Sequence, residues 1–445
     1  MTELKETIAV FGLGYIGLPF TAALANVGYK MIGVDIDANR IEKLKKGEVP
    51  FYEPGLKEGL DSHKDRIEYT VDSDYAVKNA DTLFLTVGTP LLENDHPDFS
   101  QIDASIESIG KNIRPGQLIV LKSTVVIGTT EERVAPMLEK FSGMKVGTDF
   151  FLAFCPERTI EGLALHEIYH LPKIIGGVNK ESSIKADKIL RRLGGKTTVV
   201  SSPRVAEMCK LVDNLYRATN IAFANELGML CEKMNIDARE VASAVNNSYP
   251  RTTIFTPGLG ADGPCLSKDP LIFKHSAMKH NVLTPLVDGC VIQNKFSTMR
   301  IANMVKDHIL KNNLNGKNLA ILGLAFKGFP ETDDLRGSPA KKILDSLNKE
   351  GIKFDSVRVY DPLVKNFMNY QISKNIYHAL EGSNIILFLT NHPKIMNIDL
   401  DHILDKIKKP ALILDAWGNL NIEDLPEGID YFRIGNGVKK SSRIN

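Results

Sequence analysis

The feature that most constrains the fold of this chain is a glycine-rich turn near its N-terminus. The apolar run Thr7–Phe11 leads directly into the turn, and a helical pattern follows from about Leu18. The turn consists of Gly12, Leu13, Gly14, Tyr15, Ile16 and Gly17. Glycines at these positions permit a tight turn, let a pyrophosphate approach the backbone, and let the helix pack against the strand. The helix N-terminus adds amide donors and the positive end of a dipole, so the segment predicts a dinucleotide site.

A carboxylate follows the second apolar run and indicates which dinucleotide is bound. Asp35 comes directly after the run Lys30–Val34, eighteen residues beyond Gly17. At this place a carboxylate can accept a hydrogen bond from a ribose 2′-hydroxyl, and it would repel the 2′-phosphate of NADP. The pattern therefore favours NAD. Arg40 has two interpretations, because it can approach the adenosine side of the cofactor or remain a solvated helix residue.

The order of apolar runs predicts an α/β protein. Residues 7 to about 200 alternate short apolar runs with amphipathic stretches, which is typical of a doubly wound parallel sheet. A long helical run, Arg204–Met234, follows, and a second alternation of the same kind begins at Asn318. We expect two Rossmann-like doubly wound domains joined by a central helical domain with a long helix. The predicted domains are residues 1–201, 202–304 and 305–445. The predicted strands are Thr7–Phe11, Lys30–Val34, Thr82–Thr86, Leu118–Leu121, Asn318–Gly323, Ser356–Asp361, Asn384–Leu389 and Ala411–Asp415.

Charge and cysteine content exclude several classes of function. The 445 residues include 55 Lys and Arg against 54 Asp and Glu, so there is no basic excess to bind nucleic acid or an anionic membrane. No apolar stretch reaches the ~18–20 residues that cross a bilayer. The 5 cysteines are scattered and contain no CxxC pair, which argues against a disulfide framework and suits a reducing cytosol. We expect a cytoplasmic protein without nucleic-acid or membrane partners.

Two threonines lie just beyond predicted strands of the N-terminal sheet. Thr89 follows the run Thr82–Thr86, and Thr124 follows Leu118–Leu121. Ligands of open α/β sheets bind at the carboxyl ends of strands, so both are candidate site residues. The alternative is that these segments are plain turns and helix caps.

A cysteine in a glycine-dense loop is the candidate nucleophile. Cys265 follows Gly263 and precedes Lys268 and Asp269. A nearby cation lowers the pKa of a thiol toward the reactive thiolate, and a thiol beside a dinucleotide site suits an enzyme that oxidises an alcohol beyond the aldehyde. The alternative is an ordinary turn with a buried cysteine.

Polar residues elsewhere are candidates with open alternatives. Glu157 follows a Cys-Pro step and is either a general base or a surface glutamate paired with Arg158. Lys210 and Asn214 are four apart on the long helix and can donate to an oxyanion, although a solvated helix face is the commoner explanation of such a pair. His166 and His170 are also four apart but lack a third ligand, so no metal is expected.

A loop after the first strand of the C-terminal sheet lacks the GxGxxG spacing but carries two cations. Lys327 and Arg336 are the groups that a diphosphate would need in a chain without net charge.

Together these segments resemble the UDP-glucose/GDP-mannose dehydrogenase family from Gly12 to at least Asp415. The family motifs are matched by Ala206, Glu207, Lys210, Asn214, Arg217, Ala218, Asn225 and Glu226, by Gly263, Cys265, Lys268 and Asp269, and by Phe326, Lys327, Asp333, Asp334, Arg336, Ser338 and Pro339. The segments Cys155–Arg158 and Tyr249–Arg251 resemble the branch that acts on UDP-N-acetylhexosamines. Asp262 replaces a family glycine, Ser267 replaces a common proline, and the Lys327–Asp333 loop is about two residues longer than in many relatives.

The resemblance implies an NAD-binding N-terminal domain, a UDP-binding C-terminal domain and central helices that pair subunits into a homodimer or larger oligomer. It implies catalytic roles for Cys265, Lys210, Asn214, Asp269, Glu157 and Thr124. It places Gly12, Gly14, Tyr15, Ile16, Gly17, Asp35, Arg40, Thr89, Thr124, Lys268 and Arg336 at the cofactor, and Arg158, Glu161, Lys210, Asn214, Arg251, Gly263 and Lys327 at the substrate.

The expected reaction is a four-electron oxidation of the C6 hydroxyl of a UDP-N-acetylhexosamine to the uronate, for use in polysaccharide synthesis. UDP-N-acetyl-D-mannosamine is the first choice of substrate, ahead of UDP-N-acetylglucosamine, its galacto epimer and UDP-glucose. Two other classes stay open. A two-electron 3-hydroxy-acid dehydrogenase would leave the second α/β domain unexplained, and a non-catalytic nucleotide-sugar sensor would need no nucleophile.

Overall fold

The structure is a computed structural model that describes residues 4–314, 316–418, 420 and 425–436. The chain divides into two compact units. The first unit comprises Met1–Asn214 and Leu271–Leu283, and the second comprises Leu215–Pro270 and Thr284–Asn445. No helix among the described residues is long and apolar enough to cross a membrane.

The first unit contains an eight-stranded sheet in the order β3-β2-β1-β4-β5-β6-β7-β8. Neighbouring strands are parallel except β6 and β7, which pair antiparallel. The strands are β1 Thr7–Phe11, β2 Lys30–Val34, β3 Ile67–Thr70, β4 Thr82–Leu85, β5 Leu118–Leu121, β6 Phe151–Phe154, β7 Lys173–Gly177 and β8 Thr197–Val199. All four strands predicted here are confirmed, with β4 ending one residue early.

Helices cover both faces of this sheet, so its strands are apolar on both sides. Along β1, Ile8 and Val10 belong to one apolar cluster, while Ala9 and Phe11 belong to another. This division follows from the alternation of side chains along a strand. The helices that precede the long central one are α1 Gly17–Asn26, α2 Ala38–Lys45, α3 Leu56–Ser62, α4 Ser73–Asn79, α5 Ser100–Asn112, α6 Ala135–Ser142, α7 Ala164–His170 and α8 Lys180–Leu190.

The middle of the chain is helical, as predicted. Its helices are α9 Pro203–Met234, α10 Ala238–Asn246, α11 Gly263–Leu266, α12 Asp269–Met278 and α13 Pro285–Lys311. The predicted long helix matches α9 to within one residue at its start. The chain passes from the first unit to the second within α9, after Asn214.

The second unit contains a five-stranded parallel sheet in the order β10-β9-β11-β12-β13. Its elements are β9 Asn318–Leu322, α14 Pro339–Lys349, β10 Ser356–Tyr360, α15 Ile376–Leu380, β11 Ile385–Phe388, α16 Pro393–Met396, α17 Leu400–Lys406, β12 Ala411–Asp415 and β13 Ile429–Arg433. The predicted α/β class is therefore confirmed for both sheets. The start of α14 is local in origin, because Ser338 accepts the amide of Lys341 and Pro339 occupies the first turn.

The two sheets share one arrangement, in which a buried aspartate directly follows the second strand of the sheet in chain order. Asp35 after β2 accepts the amide of Leu13 at 2.8 Å, and Asp361 after β10 accepts the amide of Leu324 at 2.8 Å. Each carboxylate is nearly buried. In each unit it holds the turn that follows the unit's first parallel strand.

Candidate active site

The glycine turn of the first unit has the geometry that dinucleotide binding requires. Gly12 has φ +92°, in the left-handed region that favours glycine. A Cβ on Gly17 would lie 1.8 Å from the carbonyl oxygen of Gly12, so the start of α1 approaches the turn too closely for any side chain. A Cβ on Gly14 would meet no atom within 4 Å. The turn therefore leaves open space above Gly14, which fits a pyrophosphate lying against the backbone.

The remaining residues of the turn, Tyr15 and Ile16, differ in their surroundings. The Tyr15 ring stacks on Phe51 with the ring centroids 4.2 Å apart. Ile16 directly precedes α1, and its side chain is exposed.

Asp35 supports the turn and holds Arg40. One carboxylate oxygen accepts the amide of Leu13 at 2.8 Å and the Arg40 guanidinium at 2.9 Å, while the other accepts the amide of Asp37 at 3.0 Å. Arg40 is thus an ion-pair partner of Asp35, with a side chain 33% exposed. The sequence had suggested either a contact of Arg40 with the cofactor or a solvated helix residue. Neither interpretation included the ion pair with Asp35.

The loops after β4 and β5 are joined by hydrogen bonds. The Thr89 hydroxyl donates to the carbonyl oxygen of Thr124, and the Ser123 hydroxyl donates to that of Val87 at 2.6 Å. Thr89 is buried, whereas Thr124 is half-buried. The structure therefore brings the two predicted threonines together at the carboxyl edge of the sheet.

Glu157 is buried and paired with a cation that sequence reasoning did not assign to the site. The Nζ of Lys122 lies 3.3 Å from Oε2 of Glu157, and both side chains are less than 10% exposed. Oε1 of Glu157 accepts the amides of Arg158 at 2.8 Å and Thr159 at 3.0 Å. The interpretation of Glu157 as a surface glutamate is therefore excluded. Lys122 directly follows β5, so the sequence holds no signal that separates a buried lysine from an exposed one at this position.

The electrostatics of this pair favour the ionised forms. Burial by itself raises the pKa of Glu157, but the Lys122 ammonium and the two backbone amides leave that pKa below its ordinary value. Burial likewise acts to lower the pKa of Lys122, and the negative charge of Glu157 leaves it raised. Both groups are therefore charged at neutral pH.

Arg158 and Glu161 follow Glu157 in the segment between β6 and α7. The Nε of Arg158 lies 2.8 Å from Oδ2 of Asp213, and one terminal nitrogen donates to the carbonyl oxygen of Pro172 at 3.2 Å. Glu161 lies in the turn between β6 and α7 and is partly exposed. Asp213 directly precedes Asn214, so Arg158 lies beside the α9 segment that carries the other candidate donors.

The N-terminal part of α9 carries buried polar residues in the first unit. Lys210 is 7% exposed and Asn214 is 5% exposed, which excludes a solvated helix face. One turn earlier, the carboxylate of Glu207 accepts the amides of Gly128 and Thr130 and the Thr130 hydroxyl. Glu207 thus ties α9 to the loop that carries Thr124.

The second unit carries the candidate nucleophile on the short helix α11. Cys265 is partly exposed there, and the carbonyl oxygen of Cys265 accepts the amide of Lys268 at 3.1 Å. Lys268 donates to Asp269 at 3.0 Å, and Asp269 has no exposed surface. Cys265, Lys268 and Asp269 therefore lie within about one turn of the chain, joined by a backbone hydrogen bond and an ion pair.

Gly263 opens α11 against the loop that follows β9. It has φ +87°, and a Cβ there would lie 2.5 Å from the Phe326 ring. A Cβ on Gly337 would lie 2.7 Å from the amide nitrogen of Gly263. The Cys265 loop and the Lys327 loop thus pack backbone to backbone within the second unit.

The cations of that loop have defined neighbours. Arg336 donates from Nε to both oxygens of Asp334, at 3.0 and 2.8 Å, and Asp334 is buried. The Nζ of Lys327 lies 5.6 Å from the centroid of the Phe326 ring. Arg251 is exposed and lies over the Tyr249 ring at 5.1 Å. The structure does not bring Arg251 into the contacts that join the Cys265 and Lys327 loops.

His166 and His170 stack on one another with ring centroids 4.2 Å apart. Among the described residues, no group of three or more His, Cys, Asp and Glu side chains is arranged to hold a metal ion.

Family comparisons match nearly the whole chain. Residues 6–194 match the NAD binding domain of the UDP-glucose/GDP-mannose dehydrogenase family, residues 204–296 match its central domain, and residues 320–422 match its UDP binding domain. The chain is 33% identical over 436 residues to a UDP-N-acetyl-D-mannosamine dehydrogenase from Pyrococcus horikoshii, covering 97% of this chain and 99% of the relative.

Two further comparisons give the range of similar proteins. The chain is 31% identical to an NDP-N-acetyl-D-galactosaminuronic acid dehydrogenase from Ralstonia solanacearum, with 90% of this chain and 94% of the relative covered. A solved structure of the UDP-D-ManNAc dehydrogenase from Pyrococcus horikoshii superposes with a TM-score of 0.88 at 30% identity, covering 97% of this chain and 100% of that one.

Proposed function

Since this chain belongs to the UDP-glucose/GDP-mannose dehydrogenase family and is an NAD-dependent UDP-sugar dehydrogenase, we propose that its substrate is UDP-N-acetyl-D-mannosamine. The observation that carries the proposal is similarity along the full chain to a relative of that name, at 33% identity. The segments Cys155–Arg158 and Tyr249–Arg251 support a UDP-N-acetylhexosamine over UDP-glucose.

We assign NAD binding to residues 1–201, subunit pairing to residues 202–304 and UDP-sugar binding to residues 305–445. The residues of the glycine turn, Asp35, Arg40, Thr89 and Thr124 belong to the cofactor side, together with Lys268 and Arg336. NAD, when bound, accepts a hydride in each of the two oxidations. Arg158, Glu161, Arg251, Gly263 and Lys327 belong to the substrate side.

Cys265 makes the second oxidation possible. After the first oxidation converts the C6 alcohol to an aldehyde, the Cys265 thiolate adds to the carbonyl carbon and forms a thiohemiacetal. Loss of a hydride from C6 then gives a thioester to Sγ. Water adds to the thioester carbonyl, the C–S bond breaks, and the thiolate returns with release of the uronate. Overall, the alcohol, two NAD⁺ and one water yield the carboxylate, two NADH and three protons.

The buried polar groups of α9 stabilise the charge that develops on oxygen. Lys210 and Asn214 donate to the C6 oxygen as it becomes an alkoxide-like centre, and burial strengthens this interaction because little solvent competes. Thr124 and Asp269 orient the hydrolytic water. Glu157, as a buried carboxylate, takes the proton from that water.

Subunit pairing is assigned to the central helices because apolar side chains on them are exposed. Tyr216, Phe223 and Leu230 on α9 and Ile292, Phe296 and Met299 on α13 are all more than 40% exposed. Large apolar side chains left exposed on helices are the kind of surface that association covers, and a homodimer is the simplest symmetric assembly.

The test is the yield of NADH per UDP-N-acetyl-D-mannosamine at completion, with NAD⁺ in excess. Two NADH per sugar support both the substrate and the four-electron reaction. One per sugar means that the reaction stops at the aldehyde and contradicts the role of Cys265. No NADH contradicts the substrate assignment, and UDP-N-acetylglucosamine, its galacto epimer and UDP-glucose are then compared.

Cys265→Ser separates the chemistry from binding. It is expected to abolish uronate formation, measured by anion-exchange chromatography, while UDP-sugar affinity by calorimetry is retained. Cys209→Ser is the matched control, because Cys209 is also partly exposed and has no assigned role. Uronate formation by Cys265→Ser at the unsubstituted rate would rule out the covalent mechanism.

A further inference from the structure

Lys122 is a buried lysine whose ammonium is paired with the carboxylate of Glu157. It directly follows β5, and its side chain is only 5% exposed. Its ammonium lies 4.6 Å from the centroid of the Phe20 ring on one side and 3.3 Å from Oε2 of Glu157 on the other. Lysines are almost never fully buried unless they are paired. The position of this ammonium is thus tied to Glu157.

The Glu157 carboxylate is held at both oxygens, and the donors are of different kinds. The amides of Arg158 and Thr159 donate to Oε1, whereas the ammonium of Lys122 faces Oε2. The two amides fix the carboxylate relative to its own backbone. Lys122 comes from a neighbouring strand end and is the charged group that faces the other oxygen.

Other titratable groups surround this pair. Cys155 at the end of β6 is buried, and burial raises the pKa of its thiol, so it stays neutral. Lys173 at the start of β7 also acts electrostatically on the pair, but its ammonium donates to the carbonyl oxygens of Gly194 at 2.7 Å and Leu171 at 3.3 Å. Glu167 lines a small cavity together with Lys122, Glu157 and Lys173, and its carboxylate accepts the amide of Ile160 at 2.6 Å.

We propose that Lys122 is a positioning residue that keeps Glu157 ionised and oriented as the base for thioester hydrolysis. The proposal rests on the proposed function, in which Glu157 takes the proton of the attacking water. A buried carboxylate without a counter-charge binds a proton and loses its capacity as a base. Lys122 touches neither substrate nor cofactor in this role and acts through Glu157 alone.

The effect of removing the ammonium has a definite sign. Burial raises the pKa of a carboxyl, and an opposite charge within about 4–6 Å lowers it by about 1–3 units. Without Lys122 the first effect remains and the second is lost, so the pKa of Glu157 rises. Hydrolysis needs the deprotonated form, so the acid limb of the pH–rate profile moves to higher pH by about 1–3 units.

A purely structural ion pair would give a different result. Loss of packing or local order would lower the hydrolysis rate by a similar factor at every pH. Loss of the counter-charge instead lowers the rate by about 10- to 1000-fold below the original pKa of Glu157, and this deficit shrinks as pH rises and disappears above the new pKa. The pH dependence therefore separates the two roles.

The test is Lys122→Met, which replaces the lysine with an unbranched apolar side chain that is one atom shorter and carries no charge. We expect the acid limb of the kcat profile to shift upward and the C6-acyl thioester on Cys265 to accumulate at low pH, detected as added mass on the intact protein. Lys173→Met is the matched control, because it removes a neighbouring ammonium that is bonded to carbonyl oxygens, and we expect a smaller shift. Where Lys122→Met does not fold, Lys122→Gln replaces it, since it keeps a donor toward Glu157 without the charge.

The outcomes distinguish this proposal from the one on which it rests. An unshifted acid limb, or a rate deficit equal at all pH values, overturns the role of Lys122. Glu157→Gln is measured in parallel and is expected to accumulate the thioester at every pH. If Glu157→Gln hydrolyses the thioester at the unsubstituted rate, the assignment of Glu157 fails and the role of Lys122 fails with it.

Discussion

The buried carboxylate of Asp262 forms an ion pair with the partly exposed side chain of Lys342, eighty residues further along the chain. The carboxylate also lies 3.4 Å from the Thr298 hydroxyl. Asp262 directly precedes α11, which carries Cys265, whereas Lys342 lies on α14. This residue stands where the family has a glycine, and the ion pair gives it a role in tying the Cys265 helix to α14.

Removing the lysine of this pair is expected to cost more unfolding free energy than removing the aspartate. Lys342→Met leaves a carboxylate that is 7% exposed without its cation. Asp262→Asn leaves only a lysine that is 43% exposed and can be hydrated. We expect a loss in unfolding free energy for Lys342→Met between the ~0–1 kcal/mol of an exposed pair and the ~3–5 kcal/mol of a buried one, and less for Asp262→Asn. Urea denaturation of each variant measures both values.

The Lys342→Met effect also depends on pH. Burial raises the pKa of Asp262 above its ordinary value, against the opposing effects of Lys342 and Thr298. When a carboxyl has a higher pKa in the folded state than in the unfolded state, the free energy of unfolding of the protein falls as pH rises from the unfolded-state pKa to the folded-state pKa. Removing Lys342 raises the folded pKa further, so the deficit is expected to be larger at pH 8 than at pH 5. Lys341→Met, which breaks an exposed pair with Asp345, is the control, and an equal deficit at both pH values would contradict the buried charge.

Substitution of Gly17 and Gly14 by alanine is expected to affect different properties, protein stability at Gly17 and NADH affinity at Gly14. Because a Cβ on Gly17 would overlap the carbonyl of Gly12, Gly17→Ala should lower the unfolding free energy by about 1–3 kcal/mol through overpacking. Gly14→Ala has space for its methyl group and should preserve stability while weakening NADH binding by about tenfold or more. Thermal melting and NADH fluorescence titration separate the two effects. Unchanged NADH affinity in Gly14→Ala would mean that the pyrophosphate does not lie against this turn.

Asp35 is expected to determine cofactor choice partly by occupying Arg40. In Asp35→Ala the repelling carboxylate is lost, and the Arg40 guanidinium becomes available to a 2′-phosphate. The ratio of kcat/KM for NAD⁺ over NADP⁺ should fall at least about tenfold, since a charge-assisted hydrogen bond contributes about 1.5–3 kcal/mol. The double variant with Arg40→Ala should recover much of the preference for NAD⁺. Equal ratios in the single and double variants would exclude a role for Arg40.

Arg336 is expected to affect the cofactor rather than the sugar nucleotide. Its guanidinium forms two hydrogen bonds to buried Asp334, and lysine cannot reproduce this fork. Arg336→Lys should raise KM for NAD⁺ by about tenfold, or about 1.4 kcal/mol, with KM for the UDP-sugar unchanged. Asp334→Asn keeps the Arg336 guanidinium and removes the charge that orients it, so this variant should raise KM for NAD⁺ by a smaller factor. A rise confined to the UDP-sugar KM would move Arg336 to the substrate side.

The fold was largely predictable because its signals are local. The strands β1, β2, β5 and β12 have the predicted bounds, and the long helix α9 starts one residue before the prediction. Short strands with weak apolar character, such as β8 and β3, were not predicted. The antiparallel pairing of β6 with β7 also left no signal in the sequence, because the direction of pairing depends on how the chain returns to the sheet.

The candidate site was predictable in its residue types but not in its pairings. Glu157, Lys210 and Asn214 were candidates, although spacing alone favoured a solvated surface position for each. The structure removes that alternative by burying all three. Lys122 was passed over because a single charged residue after a strand looks the same whether it is buried or exposed.

By itself, the sequence determined the features that depend on neighbours along the chain. Gly17 is the clearest case, because a side chain there would overlap the carbonyl oxygen of Gly12 only five residues earlier, and that steric condition is present wherever this turn forms. Only the tertiary structure decided that Lys122 forms an ion pair with Glu157 and that Asp262 forms one with Lys342. Such pairs join residues far apart in sequence, and their charges acquire strong effects only where folding removes water from around them.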